Sequence, residues 1–433
     1  MTERCSVMQN SENRLGSKKT KIGCIPGEWM CPKLRECCSK IGSGVTPKGG
    51  ESTYLRTGVA LVRSQNVLNE SFSSDGLRFI SKAQHEKMKA SALRVNDILF
   101  NITGASIGRC CLFPSGVGEA NVNQHVCIVR VADDFSPGFF KSVLNSRIVR
   151  KQLYENQAGG GREGLNFQNL GAFRIPLPPH HEQVAIAGVL ECWDKAIRNY
   201  EKKIEKKRNI KEGLMQRLLS GKQRLPGFFG EWKNMEFSNI AQISKSKYIP
   251  KLEENRVCLE LEHIEPRTGK IIGKTSSIDQ SSIKNVFRSG DVLFGKLRPY
   301  LRKYARPDFD GVCSTEIWVL ESNQNISCNE YIFWLIQTSS FIGAANVTSG
   351  TKMPRADWSY ISNYSFPIAP MKEQKAIAAV LSAADGEIEA LERKLVILKD
   401  QKKFLLNNLV TGTIRLPQFR GGTTNTGADG DHA

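Results

Sequence analysis

The chain has 433 residues, with 61 Lys+Arg against 43 Asp+Glu, a net charge of +18 and a pI near 9.4. That length allows two or three domains with their own cores, and 40% hydrophobic with 24% charged residues excludes a disordered chain. No apolar run approaches the roughly 18 residues of a membrane span, the N-terminal stretch lacks the apolar run expected of a signal peptide, and the basic excess points to a polyanion, nucleic acid first.

In chain order, residues 1–24 read as a basic tail. Residues 25–174 and 227–365 read as two globular segments on one plan. Both open on Gly-Glu-Trp, at Gly27-Glu28-Trp29 and Gly230-Glu231-Trp232. Both carry an acidic turn before an apolar strand, VNDILF (95–100) and SGDVLF (289–294), in which Asp97 and Asp291 act as turn formers. Short β-runs such as VCIVRV and EIWVLE precede helical pieces, SPGFFKSVLNSRIVRKQLY and NEYIFWLIQTSSFIGAA. This is a mixed α/β (α+β) pattern, and the two interiors differ in sequence.

Residues 175–226 and 366–421 are an internal repeat, aligned without a gap at an offset of 191 (Glu182/Glu373, Gln183/Gln374, Asp194/Asp385, Arg224/Arg415). Each copy predicts one long helix that starts after Pro179 or Pro370 and stops at Gly221 or Gly412. Glu182 and Glu373 fall in the first turn, where the helix dipole favours a carboxylate. Apolar residues at alternating steps of four and three mark a seam. The first copy supplies Ile186, Leu190, Trp193, Ile197, Tyr200, Ile204, Leu214 and Leu218. The second supplies Ile377, Leu381, Ala384, Ile388, Leu391, Leu395, Leu398, Leu405 and Leu409, and both place a lysine, Lys211 or Lys402, at one seam position. The two helices are expected to pair as an antiparallel coiled coil of roughly 50 Å. Residues 202–211, KKIEKKRNIK, are expected mainly to be a solvated face of that rod. Residues 422–433 form a C-terminal tail.

Several chemistries lack their signatures. A G-x-x-x-x-G-K-[ST] phosphate loop and a G-x-S-x-G elbow are absent. The twelve cysteines include no C-x-x-C, so they read as reduced cytosolic thiols, with no metal site expected. A fused methyltransferase would need a [DN]-P-P-[YF] motif, which the chain lacks. A coiled-coil adaptor without sequence specificity stays open as an alternative.

The bracketing of a heptad helix by IPLPPHHEQVAIAGVL and LMQRLLSGKQRLPGF resembles the specificity subunit of type I restriction–modification enzymes, over about residues 25–421. That resemblance implies two target-recognition domains, 25–174 and 227–365, alternating with a central (175–226) and a distal (366–421) conserved helical region. It implies a non-catalytic, cytoplasmic subunit that reads both halves of a split double-stranded DNA site, in a methyltransferase-only system or a full restriction system. Partners would be two modification subunits, with a restriction–translocase subunit in the full system. S-adenosylmethionine, ATP and Mg would bind those partners, leaving this chain without a cofactor. DNA contacts are then expected from polar residues of the recognition-domain loops. In the first domain these are Ser43, Thr46, Lys48, Asn101, Thr103, Arg109, Gln124, His125 and Arg162. In the second they are Lys296, Arg298, Tyr300, Arg302, Lys303, Lys352 and Arg355, densest in GKLRPYLRK. Residues 25–174 carry 19 basic and 12 acidic residues against 17 and 15 in 227–365, so stronger nonspecific grip is expected from the first domain.

Overall fold

The structure is a computed structural model that describes residues 16–47, 49–157, 164–349 and 353–420. It divides into two compact units, residues 1–199 with 395–433, and residues 200–394. Two helices of 39 residues each, α1 (His180–Leu218) and α2 (Met371–Leu409), contribute to both units. Each begins directly after Pro179 or Pro370, and the stops at Gly221 and Gly412 have φ of +70° and +66°, the left-handed conformation glycine adopts without a Cβ penalty.

The first unit centres on β1 (Cys38–Ser43), β2 (Ile98–Asn101), β3 (Cys110–Leu112) and β4 (Val126–Val131), an antiparallel sheet in the order β1-β4-β2-β3. The second repeats that order with β5 (Ala241–Ile243), β6 (Val292–Gly295), β7 (Tyr304–Ala305) and β8 (Ile317–Ser322), as β5-β8-β6-β7. The apolar runs ILF and VLF follow from this placement. On β2, Phe100 faces one core and Leu99 another, and on β6 Phe294 and Leu293 do the same, so both strand faces are dry. Asp97 and Asp291 cap the preceding turns by accepting from the Arg94 and Arg288 amides, each at 2.7 Å. Each unit has a second sheet containing a parallel pair, three-stranded in the first with Val59–Val62 beside Ala120–Val122 and five-stranded in the second with Val257–Leu259 beside Gly311–Ser314. Two helices follow in each unit, Pro137–Leu144 and Arg147–Gln157, then Asn329–Leu335 and Ser339–Ala345.

Within each unit the helix halves pair antiparallel. In the second, Lys207 reaches Glu387 at 2.8 Å and Lys211 reaches Asp385 at 2.5 Å, residue numbers falling on one helix as they rise on the other. In the first, Lys402 pairs with Asp194, the same contact with the repeats exchanged. The seam lysines thus answer the repeat-matched aspartates Asp194 and Asp385. Residues 202–211 are not simply a solvated face, because Lys207, Arg208 and Lys211 bind α2 carboxylates.

Of the seam residues, Ile186, Leu190, Ile197, Ile204, Leu218, Ile377, Leu381, Ile388 and Leu409 are buried. Trp193, Tyr200, Leu214, Ala384, Leu391, Leu395, Leu398 and Leu405 are half-buried. The helix ends are absorbed into the domain cores. Ile186, Leu190, Leu406 and Leu409 pack with Phe139 and Phe140, while Met215, Leu218, Ile377 and Leu381 pack with Phe341 and Trp334. Met215 and Leu406 belong to this packing and lie off the heptad positions. Among the described residues no helix is long and apolar enough to cross a membrane.

Candidate nucleic-acid interface

Each globular segment is clamped to the helices by the motifs the repeat preserves. Glu182, 1% exposed, accepts from Arg415 Nε (2.6 Å) and Nη2 (2.8 Å) and from Trp29 Nε1 (3.1 Å). Glu373, fully buried, accepts from Arg224 Nε and Nη2, both at 2.6 Å, and from Trp232 Nε1 at 3.0 Å. Each guanidinium also lies 5.7 Å from its tryptophan ring. Glu28 adds a second carboxylate to Arg415, and hydrogen bonds from its own backbone and Arg415 hold its pKa below the usual range. The neighbouring glutamines work alike. Gln183 accepts from the Ser136 amide at 3.1 Å, and Gln374 from the Ser327 hydroxyl at 2.9 Å, at the starts of the domain helices. The first-turn glutamates therefore serve as buried anchors for Arg and Trp as well as lying near the helix dipole.

These clamps fix the sheets, and the sheets bring loops from distant sequence together. In the first unit the Ile102 amide donates to His125 O (3.1 Å) and the Leu165 amide to Ile102 O (2.8 Å). In the second, the Lys296 amide donates to Glu316 O (2.9 Å) and the Ala356 amide to Lys296 O (2.8 Å). The same backbone stitching joins the strand end, the β-turn and the returning loop in both units. Only the side chains differ.

In the first unit Thr103 Oγ1 lies 2.8 Å from His125 Nδ1, and Gln124 Nε2 lies 3.3 Å from His125 Nε2, so three of the expected contacts form one polar group. The 43–47 loop joins it through the Gly44 amide, which donates to Asn123 O (3.2 Å). A Cβ on Gly44 would lie 1.8 Å from Val122 O, so this approach requires glycine. Ser43 and Thr46 are half-buried and Arg109 is exposed. Asn101 is a correction to the expected contacts. It is fully buried, its amide donates to Ser64 O (2.9 Å) and Ser106 Oγ (3.2 Å), and it braces the loop from inside. A polar residue closing a strand reads the same in sequence whether it points inward or outward. Cys127 shares the strand after His125 but is buried, and burial pushes its thiol up to about 12. Lys48, Arg162 and Lys352 lie outside the described residues.

In the second unit Lys296, Arg298 and Arg355 are adjacent, since Leu297 bridges Arg355 and the Arg298 amide donates to Pro354 O (2.8 Å). Arg298 and Tyr300 are exposed. Two expected contacts are engaged internally, Arg355 by Glu316 at 3.0 Å and Lys303 by Leu261 O at 2.5 Å. Arg298 and Arg302 have φ of +52° and +54°, a conformation that costs a residue with a Cβ roughly 1–2 kcal/mol. Sequence reasoning missed Arg267, whose φ is +68° and whose amide donates to Arg302 O at 2.9 Å. The residues 266–269 (PRTG) signalled a turn, and nothing there signalled a left-handed arginine.

Two units on one sheet topology, each presenting stitched polar loops and sharing a repeated helix pair, define a class of protein that presents two different surfaces from one scaffold. Comparison with known proteins says which. The model of the type I restriction modification DNA specificity domain matches twice, over residues 26–207 and 230–399, and the chain belongs to that family. It is a DNA sequence-specificity subunit of the type I restriction–modification kind. A putative type I restriction enzyme MjaX specificity subunit of Methanocaldococcus jannaschii is similar at 22% identity, covering 92% of this chain and 96% of that one. The EcoDI specificity subunit of Escherichia coli is 28% identical over 47% of this chain and 44% of its own length. Among solved structures, the type I restriction–modification S subunit of M. genitalium matches with a TM-score of 0.54 at 16% identity, over 88% of this chain and 96% of that one, a likeness of fold.

Proposed function

We propose that each unit reads one half of a bipartite DNA site and that the paired helices set the gap between the halves. The observation that carries this reading is the identical backbone stitching of Ile102–His125–Leu165 and Lys296–Glu316–Ala356 under different side chains. One scaffold then offers two base-reading surfaces, which suits a site with two unlike halves. The chain itself performs no catalysis. Two modification subunits carry S-adenosylmethionine and methylate adenine N6, and where a restriction–translocase subunit joins them it carries ATP and Mg. The assembly works in the cytoplasm on double-stranded DNA.

Mapping methylated adenines in the host with and without this chain tests the proposal. A split motif methylated only when the chain is present is expected, and an identical map in its absence would overturn the reading. Within the second unit, Arg298→Ala is expected to relax one position of the motif, by about 1–3 kcal/mol of discrimination. Selection from randomised duplexes reads this out, and equal weakening on every sequence would make Arg298 a phosphate contact instead.

A further inference from the structure

Three of the five non-glycine residues with positive φ among the described residues are arginines, Arg267, Arg298 and Arg302, all in the second unit. Their loops interlock. The Arg267 amide donates to Arg302 O (2.9 Å), and the Tyr304 hydroxyl donates to Arg267 O (2.7 Å). An arginine gains nothing from this backbone that glycine would not supply without strain. Glu70 shows what the fold does when it uses such a side chain, since its left-handed backbone delivers a carboxylate to the buried Lys402. The three arginine side chains have no hydrogen-bond or ion-pair partner among the described residues.

The charge around two of them is uneven. Arg267 and Arg302 line a cavity of about 850 Å³ with Arg208, Lys211 and Lys270. The latter three are ion-paired, Arg208 and Lys270 sharing Glu392 and Lys211 held by Asp385. Glu265, also on the wall, accepts from the Thr268 hydroxyl at 2.7 Å. Lys222, on the same wall, is also without an ion pair among the described residues, so Arg267 and Arg302 are distinguished by being unpaired cations on a left-handed backbone held by its own hydrogen bonds.

We propose that Arg267, with Arg302 beside it, binds a backbone phosphodiester of the DNA and positions the duplex for the base contacts of the second unit. The inference rests on the DNA-reading function above. Strain kept at a residue with no internal partner points to a partner outside the chain, and a guanidinium presented on a rigid loop matches a phosphate.

The test uses the full chain purified with its modification subunits and the duplexes that the wild-type complex selects. Arg267→Gly removes the side chain and suits φ +68°. It is expected to weaken all duplexes by a similar factor, about 3- to 10-fold, and to lower the salt slope of binding by about one, leaving the selected motif intact. Its melting temperature should match or exceed the wild type, and Arg267→Lys, which keeps the charge, should recover most of the affinity. Unchanged affinity in Arg267→Gly, or a loss accompanied by a lower melting temperature, would overturn the proposal. Failure of the wild-type complex to select any motif would instead overturn the DNA-reading function on which it rests.

Discussion

Asp194→Asn is expected to cost about 3–5 kcal/mol of stability, the largest effect of any single change at the helix pair. Asp194 is 9% exposed and receives two ammonium groups, Lys402 from α2 and Lys141 from the first domain at 3.1 Å. Those lysines are only 6% and 11% exposed, so neutralising the aspartate takes a counter-charge from two ammonium groups that have little access to water. Lys402 keeps Glu70, but Lys141 has no second carboxylate among the described ion pairs. The repeat supplies an internal control. Asp385 occupies the same position one copy later, yet it is 26% exposed and faces Lys211 at 17%. There Asp385→Asn should cost about 1 kcal/mol, in the range of partly solvated pairs. Urea unfolding of the two variants decides the matter, and equal losses would show that burial does not set the worth of these pairs.

Glu182→Gln should cost about 2–4 kcal/mol, and Glu373→Gln a similar amount. The glutamine keeps the shape of the side chain but turns an NH2 toward the Arg415 or Arg224 guanidinium and weakens acceptance from the tryptophan. Arg415 and Arg224 are 19% and 31% exposed, so each can be partly rehydrated, which holds the loss below that at Asp194. Because the clamps join each globular segment to its helix ends, the loss should appear as a lower urea midpoint together with earlier fluorescence change at Trp29 or Trp232. Full-strength folding of both variants would mean that the clamps are dispensable.

Much of this architecture was legible in the sequence, for specific reasons. The constant offset of 191 exposed the two helices, and proline and glycine marked their ends. Gly-Glu-Trp, Glu-Gln and Arg-Leu-Pro were visible as repeated motifs, but that they close on one another was not, since Trp29, Glu182 and Arg415 lie as far as 386 residues apart and periodicity carries no information at that range. The heptad pattern located the seam yet could not tell a helix partner from a sheet-and-helix core. Hence Met215 and Leu406 escaped notice although both are buried, while the adjacent heptad residues Leu214 and Leu405 are only half-buried. In the candidate interface, polarity and turn chemistry located the correct loops. Direction was the part that sequence does not encode locally, which is why Asn101 turned out to be an internal brace and Arg355 a partner of Glu316. Arg267 was invisible for the opposite reason, since its distinguishing feature is a backbone angle.

Two units reading two halves of one split site leave a recognisable pattern in the DNA that the full complex retains. Selection of duplexes from a fully randomised pool with the full complex, followed by sequencing of those retained, reads that pattern out. Two short specified blocks are expected, separated by an unspecified gap of constant length, with the blocks' centres one helical turn, ~34 Å, apart. Substitutions at Thr103 or His125 should then alter one block and Arg298→Ala the other. A single uninterrupted motif, or one whose two blocks both change when either unit is altered, would contradict the reading of one half-site by each unit.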